Sequence, residues 1–393
     1  MRILVLGSGL QGSATAFDLL TSTSATVTLA DRAPEHLAPF LKPYLGKRLA
    51  VLKLDVRDQR NMRDVMRGHD AVLSALPYYL NYDLTALAVE LGAHFADLGG
   101  NLEVVRRQET LNEAARAKGV SVVPDCGLAP GLVNILAAEA IRRLEECHSV
   151  KLYVGGLPQH PEPPLDYAIV YSLEGVLDYY TSPGWVLRDG QPAQVSALSE
   201  VEPVSFPDPV GTLEAFHTAG GLSTMPWRFA GRIQTMEYKT LRYAGHAGIM
   251  RAIRDVGLLS LEPVDVKGVK VVPRDAFVAV VSRVLEKPGV EDLVALQVVA
   301  RGARGGRPAT VAFRLLDYFD SRHQVSAMMR TTGYSLSVTA QMQLDGRIAE
   351  SGVRAAYEVT PFEAYVAELE QRGIVVETLD DAANEKGDVR REM

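Results

Sequence analysis

The chain has 393 residues, enough for two or three domains of about 150 each, and its 47 % apolar and 23 % charged residues are globular proportions. A formal net charge of −7 with scattered basic residues argues against the concentrated basic patch of a nucleic-acid binder, and no apolar run approaches the ~20 residues of a membrane span. Two cysteines, Cys126 and Cys147, exclude a disulfide framework and suit a reducing cytoplasm.

The first residues do not read as a signal peptide, because a strand begins at Arg2. RILVL (2–6) is an apolar run without alternation, as in a strand buried on both faces. Gly7, Gly9 and Gly12 follow, then a helical pattern through Leu10, Ala14, Phe17 and Leu20. ATVTLAD is a second strand ending at Asp31, nineteen residues beyond Gly12. In a dinucleotide-binding turn Gly7 permits the bend, Gly9 lets backbone N–H groups approach a pyrophosphate, and Gly12 lets helix and strand pack. Leu10 opens the helix whose N-terminus faces the phosphates. Asp31 can accept hydrogen bonds from the ribose hydroxyls, which favours NAD. The adjacent Arg32 can meet a 2′-phosphate, so NADP stays open.

The alternation continues. Strands are expected at 49–55, 70–77, 94–100 and 120–125, with helices at 61–68, 81–92 and 104–119. This is an α/β pattern of parallel units with right-handed crossovers. Ligands in such sheets lie beyond the carboxyl ends of the strands. The ends SALP, DLGG and PDCGLAPG are therefore expected to line a cofactor cleft. Asp55 falls where adenine contacts lie, Ser74, Ala75 and Leu76 along the nicotinamide half, and Leu98 in DLGG.

The texture changes after Pro130. A helix at 131–146 leads to strand-like material at 151–158, a helix at 171–183 and a hairpin turning at Asp189-Gly190. Segments 213–221, 232–246 and 264–272 and two long strands within 292–320 give an α+β domain. Helices at 325–346 and 361–373 return to the first domain. The expected division is 1–128, 129–324 and 325–375, with a charged tail from 376.

Four groups of residues carry candidate chemistry. Asp125 can accept a proton or hold an ammonium, or else cap the helix near Gly131. His217, ahead of Gly220-Gly221, can shuttle a proton near neutrality, or be a structural histidine. In a strand, Tyr238, Thr240 and Arg242 share one face, and Lys239, Leu241 and Tyr243 the other. Arg242 can clamp a carboxylate, and a buried Lys239 can act as a base. Glu174 and Asp178, one helical turn apart, can form an anionic pocket with Tyr171, or lie on a surface helix. No metal site is expected.

GSGLQG with Asp31, then DLGG, PDCGLAPGLVN, LYVGGLP, EPPLDYAIVYSLEGVLDYYT, LEAFHTAGGLST and MEYKTLRYAGH together resemble the saccharopine dehydrogenase/reductase family over about residues 1–375. The resemblance implies a Rossmann-type parallel sheet domain with an inserted α+β substrate domain, usually as a homo-oligomer. It implies an amino-acid substrate, most closely the ε-amine of lysine oxidised with NAD, and no nucleic-acid or membrane partner. His217 or Asp125 would then be the base, Arg242 the contact to the α-carboxylate and Glu174 that to the α-ammonium. Two other readings stay open: a secondary amine as substrate, and an NAD-binding sensor without catalysis.

Overall fold

A computed structural model describes residues 1–169, 172–286 and 289–379. The chain falls into two compact units. The first holds Met1–Arg143, Asp320–Val325 and Met329–Glu377, and the second holds Leu144–Phe319, Ser326–Met328 and, of the described residues, Thr378 and Leu379.

The first unit opens with β1 (Arg2–Leu6), α1 (Leu10–Ser22), β2 (Thr26–Asp31), β3 (Leu49–Lys53), α2 (Gln59–Met66), β4 (Ala71–Ser74), α3 (Asn81–Leu91), β5 (His94–Asp97), α4 (Leu102–Glu109), α5 (Asn112–Lys118), β6 (Ser121–Val123) and α6 (Leu132–Arg142). Ile3, Leu4, Val5 and Leu6 have no exposed surface, as befits a strand flanked by β2 and β4 inside the sheet. Burying each such side chain contributes about 2 kcal/mol.

Two expected helices end early. The 104–119 pattern divides into α4 and α5. Asn101 caps α4 by accepting the Val104 N–H, and at its far end the Thr110 hydroxyl donates to the Arg107 carbonyl, competing with the helical ladder. The 131–146 helix stops at Arg142, and Glu145 N–H already donates to the Ala303 carbonyl at the start of the second unit.

The second unit contains β7 (Glu146–Pro158), α7 (Leu173–Thr181), β8 (Gly184–Arg188), β9 (Gln191–Val195), β10 (Glu202–Ser205), β11 (Thr212–His217), α8 (Met225–Arg228), β12 (Thr235–Arg242), α9 (His246–Asp255), β13 (Val264–Val266), β14 (Val269–Val271), α10 (Pro273–Leu285), β15 (Asp292–Arg304) and β16 (Arg307–Tyr318). Asp189 and Gly190 both take positive φ and close the β8–β9 hairpin. Segment 264–272 is a second hairpin, β13–β14. β10, β11, β12, β7, β15 and β16 lie side by side, antiparallel except for β12 against β7.

The chain continues through α11 (Ala327–Met329), a π-helical turn at Arg330–Tyr334, α12 (Ser335–Leu344), β17 (Gly352–Val353), α13 (Ala356–Val359), α14 (Phe362–Gln371) and β18 (Val376–Thr378). Of the expected tail, Val376–Thr378 is thus a strand, and residues from 380 lie outside those described. β17 joins the first sheet, whose order is β17-β6-β5-β4-β1-β2-β3, parallel throughout. Arg372, after α14, pairs with Asp18 of α1 at 2.7 Å, with both side chains buried. No helix among the described residues is long and apolar enough to cross a membrane.

Candidate active site

The strand order places the turn after β1 at the middle of the first sheet, where a doubly wound fold binds its ligand. Gly7 bends there at φ +98°. A Cβ on Gly12 would stand 1.8 Å from the Gly7 carbonyl oxygen, so α1 approaches the turn only with glycine at this position. A Cβ on Gly9 would meet nothing within 4 Å, so the space beside this N-cap is open. Among the described residues no side chain caps α1, and its first turn holds no acid; Leu10 is exposed beside it. The first N–H groups of α1 are thus available to an anion.

Asp31 accepts N–H bonds from Ser8 at 2.7 Å and Ala33 at 2.9 Å. Burial alone raises its pKa, and these backbone donors outweigh it and hold the carboxyl below its ordinary range. The residues present fit a dinucleotide: a glycine turn and helix N-terminus for the pyrophosphate, and a fixed carboxylate for the ribose. Arg32 is exposed beside Asp31. Asp55 lies just beyond β3, and its carboxyl is held at about 2, chiefly by the Arg57 guanidinium.

Three strand ends follow. Ser74 is fully buried, and its hydroxyl donates to Asn81 at 2.8 Å. Ala75 and Leu76 are half-buried. Leu98 N–H donates to the Ser74 carbonyl. Asp125, at φ +58° after β6, accepts the Gly100 N–H at 3.1 Å. A Cβ on Gly99 would stand 1.5 Å from Asp125 Oδ1, so the DLGG glycine makes room for this carboxylate. Asp97, at the end of β5, has no exposed surface, and burial and then the Asp125 charge push its pKa up to about 7. Cys126 beside them is buried, and burial raises its thiol well above the ordinary value.

In the second unit the structure brings His217 and Lys239 together as cross-strand partners. Lys239 borders a cavity of about 460 Å³ that Lys151, Arg188, Glu200, Glu202 and Glu237 also line, whereas His217 has no exposed surface. The charges alternate. Arg188 bridges Glu200 at 2.7 Å and Glu237 at 2.9 Å; Lys151 bridges Glu237 at 3.1 Å and Glu202 at 2.9 Å; Lys239 holds Glu202 at 2.8 Å. Burial opposes ionisation of Glu202, but the two lysines hold it at about 2.

His217 Nδ1 lies 3.2 Å from the Tyr238 carbonyl, so it carries the donated hydrogen. Nε2 faces Glu200 at 3.2 Å and Arg188 at 3.4 Å. Burial lowers the pKa of this imidazole, and Glu200 opposes the shift. His217 Nε2 and oxygens of Glu200 and Glu237 lie within 4.8 Å of one another, a donor set of metal-ligand type. Arg188 already spans both carboxylates, so the arrangement is an ion network.

The opposite face of β12 is separate. Thr240 Oγ1 meets Thr218 Oγ1 at 2.8 Å. Arg242 is 2 % exposed, donates to Tyr180 Oη and the Leu241 carbonyl, and stacks on Tyr167. It therefore packs away from His217 and Lys239. A Cβ on Gly221 would stand 2.3 Å from the Tyr238 ring, so this glycine makes room for that ring. Glu174 is exposed on α7, Asp178 pairs with Arg274, and Tyr171 lies outside the described residues.

Residues 3–123 match the saccharopine dehydrogenase NADP binding domain, and residues 127–374 match the saccharopine dehydrogenase C-terminal domain. The chain belongs to the saccharopine dehydrogenase family. Among its relatives, saccharopine dehydrogenase [NADP(+), L-glutamate-forming] of Pyricularia oryzae is 28 % identical over 273 residues, 66 % of this chain and 58 % of the relative. Mouse mitochondrial alpha-aminoadipic semialdehyde synthase is 25 % identical over 272 residues, 66 % of this chain and 29 % of the relative. The chain thus matches less than two thirds of the length of these relatives. Apo saccharopine dehydrogenase (L-Glu forming) of Saccharomyces cerevisiae has the same fold, with a TM-score of 0.79 at 22 % identity over 96 % of this chain and 99 % of that one.

Within this saccharopine dehydrogenase-family chain, sequence reasoning missed Asp97 and the acidic half of the cavity. The strand-end rule that singled out Leu98 applied equally to Asp97 one residue earlier. Glu237 lies two positions from Lys239, on the same strand face, and that alternation was legible.

Proposed function

We propose that the chain is a nicotinamide-dependent amine oxidoreductase that oxidises the ε-amino group of L-lysine, as an L-lysine 6-dehydrogenase does. The observation that carries this reading is the Asp125 carboxylate, held by the Gly100 N–H beside the DLGG turn in the same unit as the dinucleotide cradle. An ammonium must lose a proton before hydride can leave its carbon, so the reaction needs a base at this end of the crevice. Asp125 fills that role better than His217, whose Nε2 faces Glu200 and Arg188.

The nicotinamide, when bound, supplies the hydride acceptor. Gly7, Gly9 and Gly12 and the start of α1 would hold the pyrophosphate. Asp31 would accept from the ribose, and its negative charge disfavours a 2′-phosphate, which supports NAD over NADP. Asp125 takes the N–H proton of the substrate. The imine left after hydride departure is hydrolysed to aminoadipate semialdehyde and ammonia.

The test is direct. Purified protein is mixed with NAD or NADP and with lysine, saccharopine or other amino acids, and the absorbance of the reduced cofactor is followed. Reduction of NAD by lysine is the expected result. Faster turnover of saccharopine would move the reading to a secondary amine, and no reduction with any amine would overturn it.

A further inference from the structure

Asp97 keeps unusual company for a buried carboxyl. Its Oδ2 accepts a hydrogen bond from Gln108 Nε2 at 2.7 Å, and its Oδ1 faces the Asp125 N–H at 3.4 Å. Its carbonyl accepts the Cys126 N–H at 2.7 Å. Gln108 Nε2 also donates to Thr85 at 2.9 Å, while its Oε1 is buried with no partner. The groups set against Asp97 are the Asp125 carboxylate, the Cys126 thiol, the amide of α4 and, behind it, the Thr85 hydroxyl of α3. None of these is a cation. Two carboxyls at neighbouring strand ends in a buried place resist being ionised together.

We propose that Asp97 is the positioning residue for the Asp125 base: it anchors Asp125 through the backbone N–H and holds a proton whose release prepares Asp125 for catalysis. This rests on the reading of Asp125 as base. Below neutrality Asp97 is neutral. Above about pH 7 it is ionised. A second negative charge then stands beside the carboxylate that must accept the substrate's proton, which favours the transfer. In that step the substrate N–H bond breaks, an O–H bond forms on Asp125, and the ammonium becomes the amine.

The experiment measures kcat/KM for lysine with NAD from about pH 5.5 to about pH 9 in the wild type, Asp97→Asn and Gln108→Leu. The wild-type value should rise through about pH 7. Asp97→Asn should lose that rise and fall about tenfold below wild type at high pH, with cofactor affinity unchanged. Gln108→Leu removes a donor that favours ionised Asp97, so it should move the rise upward by about one pH unit. A rise near pH 7 that persists in Asp97→Asn overturns the proposal.

A second readout needs no turnover. Infrared difference titration of the NAD-bound wild type should show a buried protonated carboxyl that ionises near pH 7 and is missing from Asp97→Asn. If that signal is present and no amine is oxidised, the base reading has failed while the proton on Asp97 stands. If it is absent, the proposal is overturned whatever the rates.

Discussion

At the strand ends of the first unit, Asp97 faces a second carboxylate, a thiol and an amide, whereas in the cavity of the second unit Glu200, Glu202 and Glu237 each meet at least one cation. The two places respond to pH in opposite directions. The folded pKa of Asp97 is raised, so its contribution to stability is full below about pH 4 and is lost as pH rises through about 7. The folded pKa of Glu202 is lowered, so its contribution is full above about pH 4.5 and is lost as pH falls through about 2. A charge that is matched serves the fold. A buried carboxyl set against another is costly to ionise, and that cost is better explained by chemistry than by stability.

The sharpest way to break this contrast is at the base. Asp125→Asn should lower turnover by about 10²- to 10⁴-fold while leaving NADH binding, followed by fluorescence, unchanged. Gly12→Ala comes next. Its Cβ would collide with the Gly7 oxygen, so the turn must open, and NADH affinity should fall by at least about tenfold. Asp97→Asn tests the pH argument through stability. It should be more stable than wild type at pH 8, by up to a few kcal/mol in denaturant unfolding, and match it near pH 4. Glu202→Gln should act in the reverse sense, lowering the melting temperature at pH 7 by a few degrees and converging with wild type under acid conditions. The exposed pair Arg63–Glu90 is the control: Arg63→Ala should leave the melting temperature unchanged at either pH.

Much of the first unit was legible because its signals are local. The run RILVL, the spacing Gly7-Gly9-Gly12 and the acid at Asp31 lie within one βαβ segment, and each has a single mechanical meaning there. The hairpin at Asp189-Gly190 was equally local. What stayed hidden depends on long-range register. Asp97 becomes special only because β6 lies next to β5 and delivers Asp125 against it. Glu202 reaches Lys151 and Lys239 only because β10, β11, β12 and β7 adjoin in that order. Alternation along β12 placed Lys239 and Arg242 on opposite faces, yet the burial of Arg242 between Tyr167 and Tyr180 comes from α7 and irregular chain ahead of it, which no pattern within the strand announces.

The return of the chain to its first sheet also sets an order of assembly during synthesis. β6 leaves the ribosome with its outer edge bare, and β17, which covers that edge, emerges only after the whole intervening unit has been translated. The nucleotide-binding half, although it is begun first, therefore waits for most of the second unit before its sheet is complete, and a transcript cut short before Gly352 yields a sheet missing its final strand.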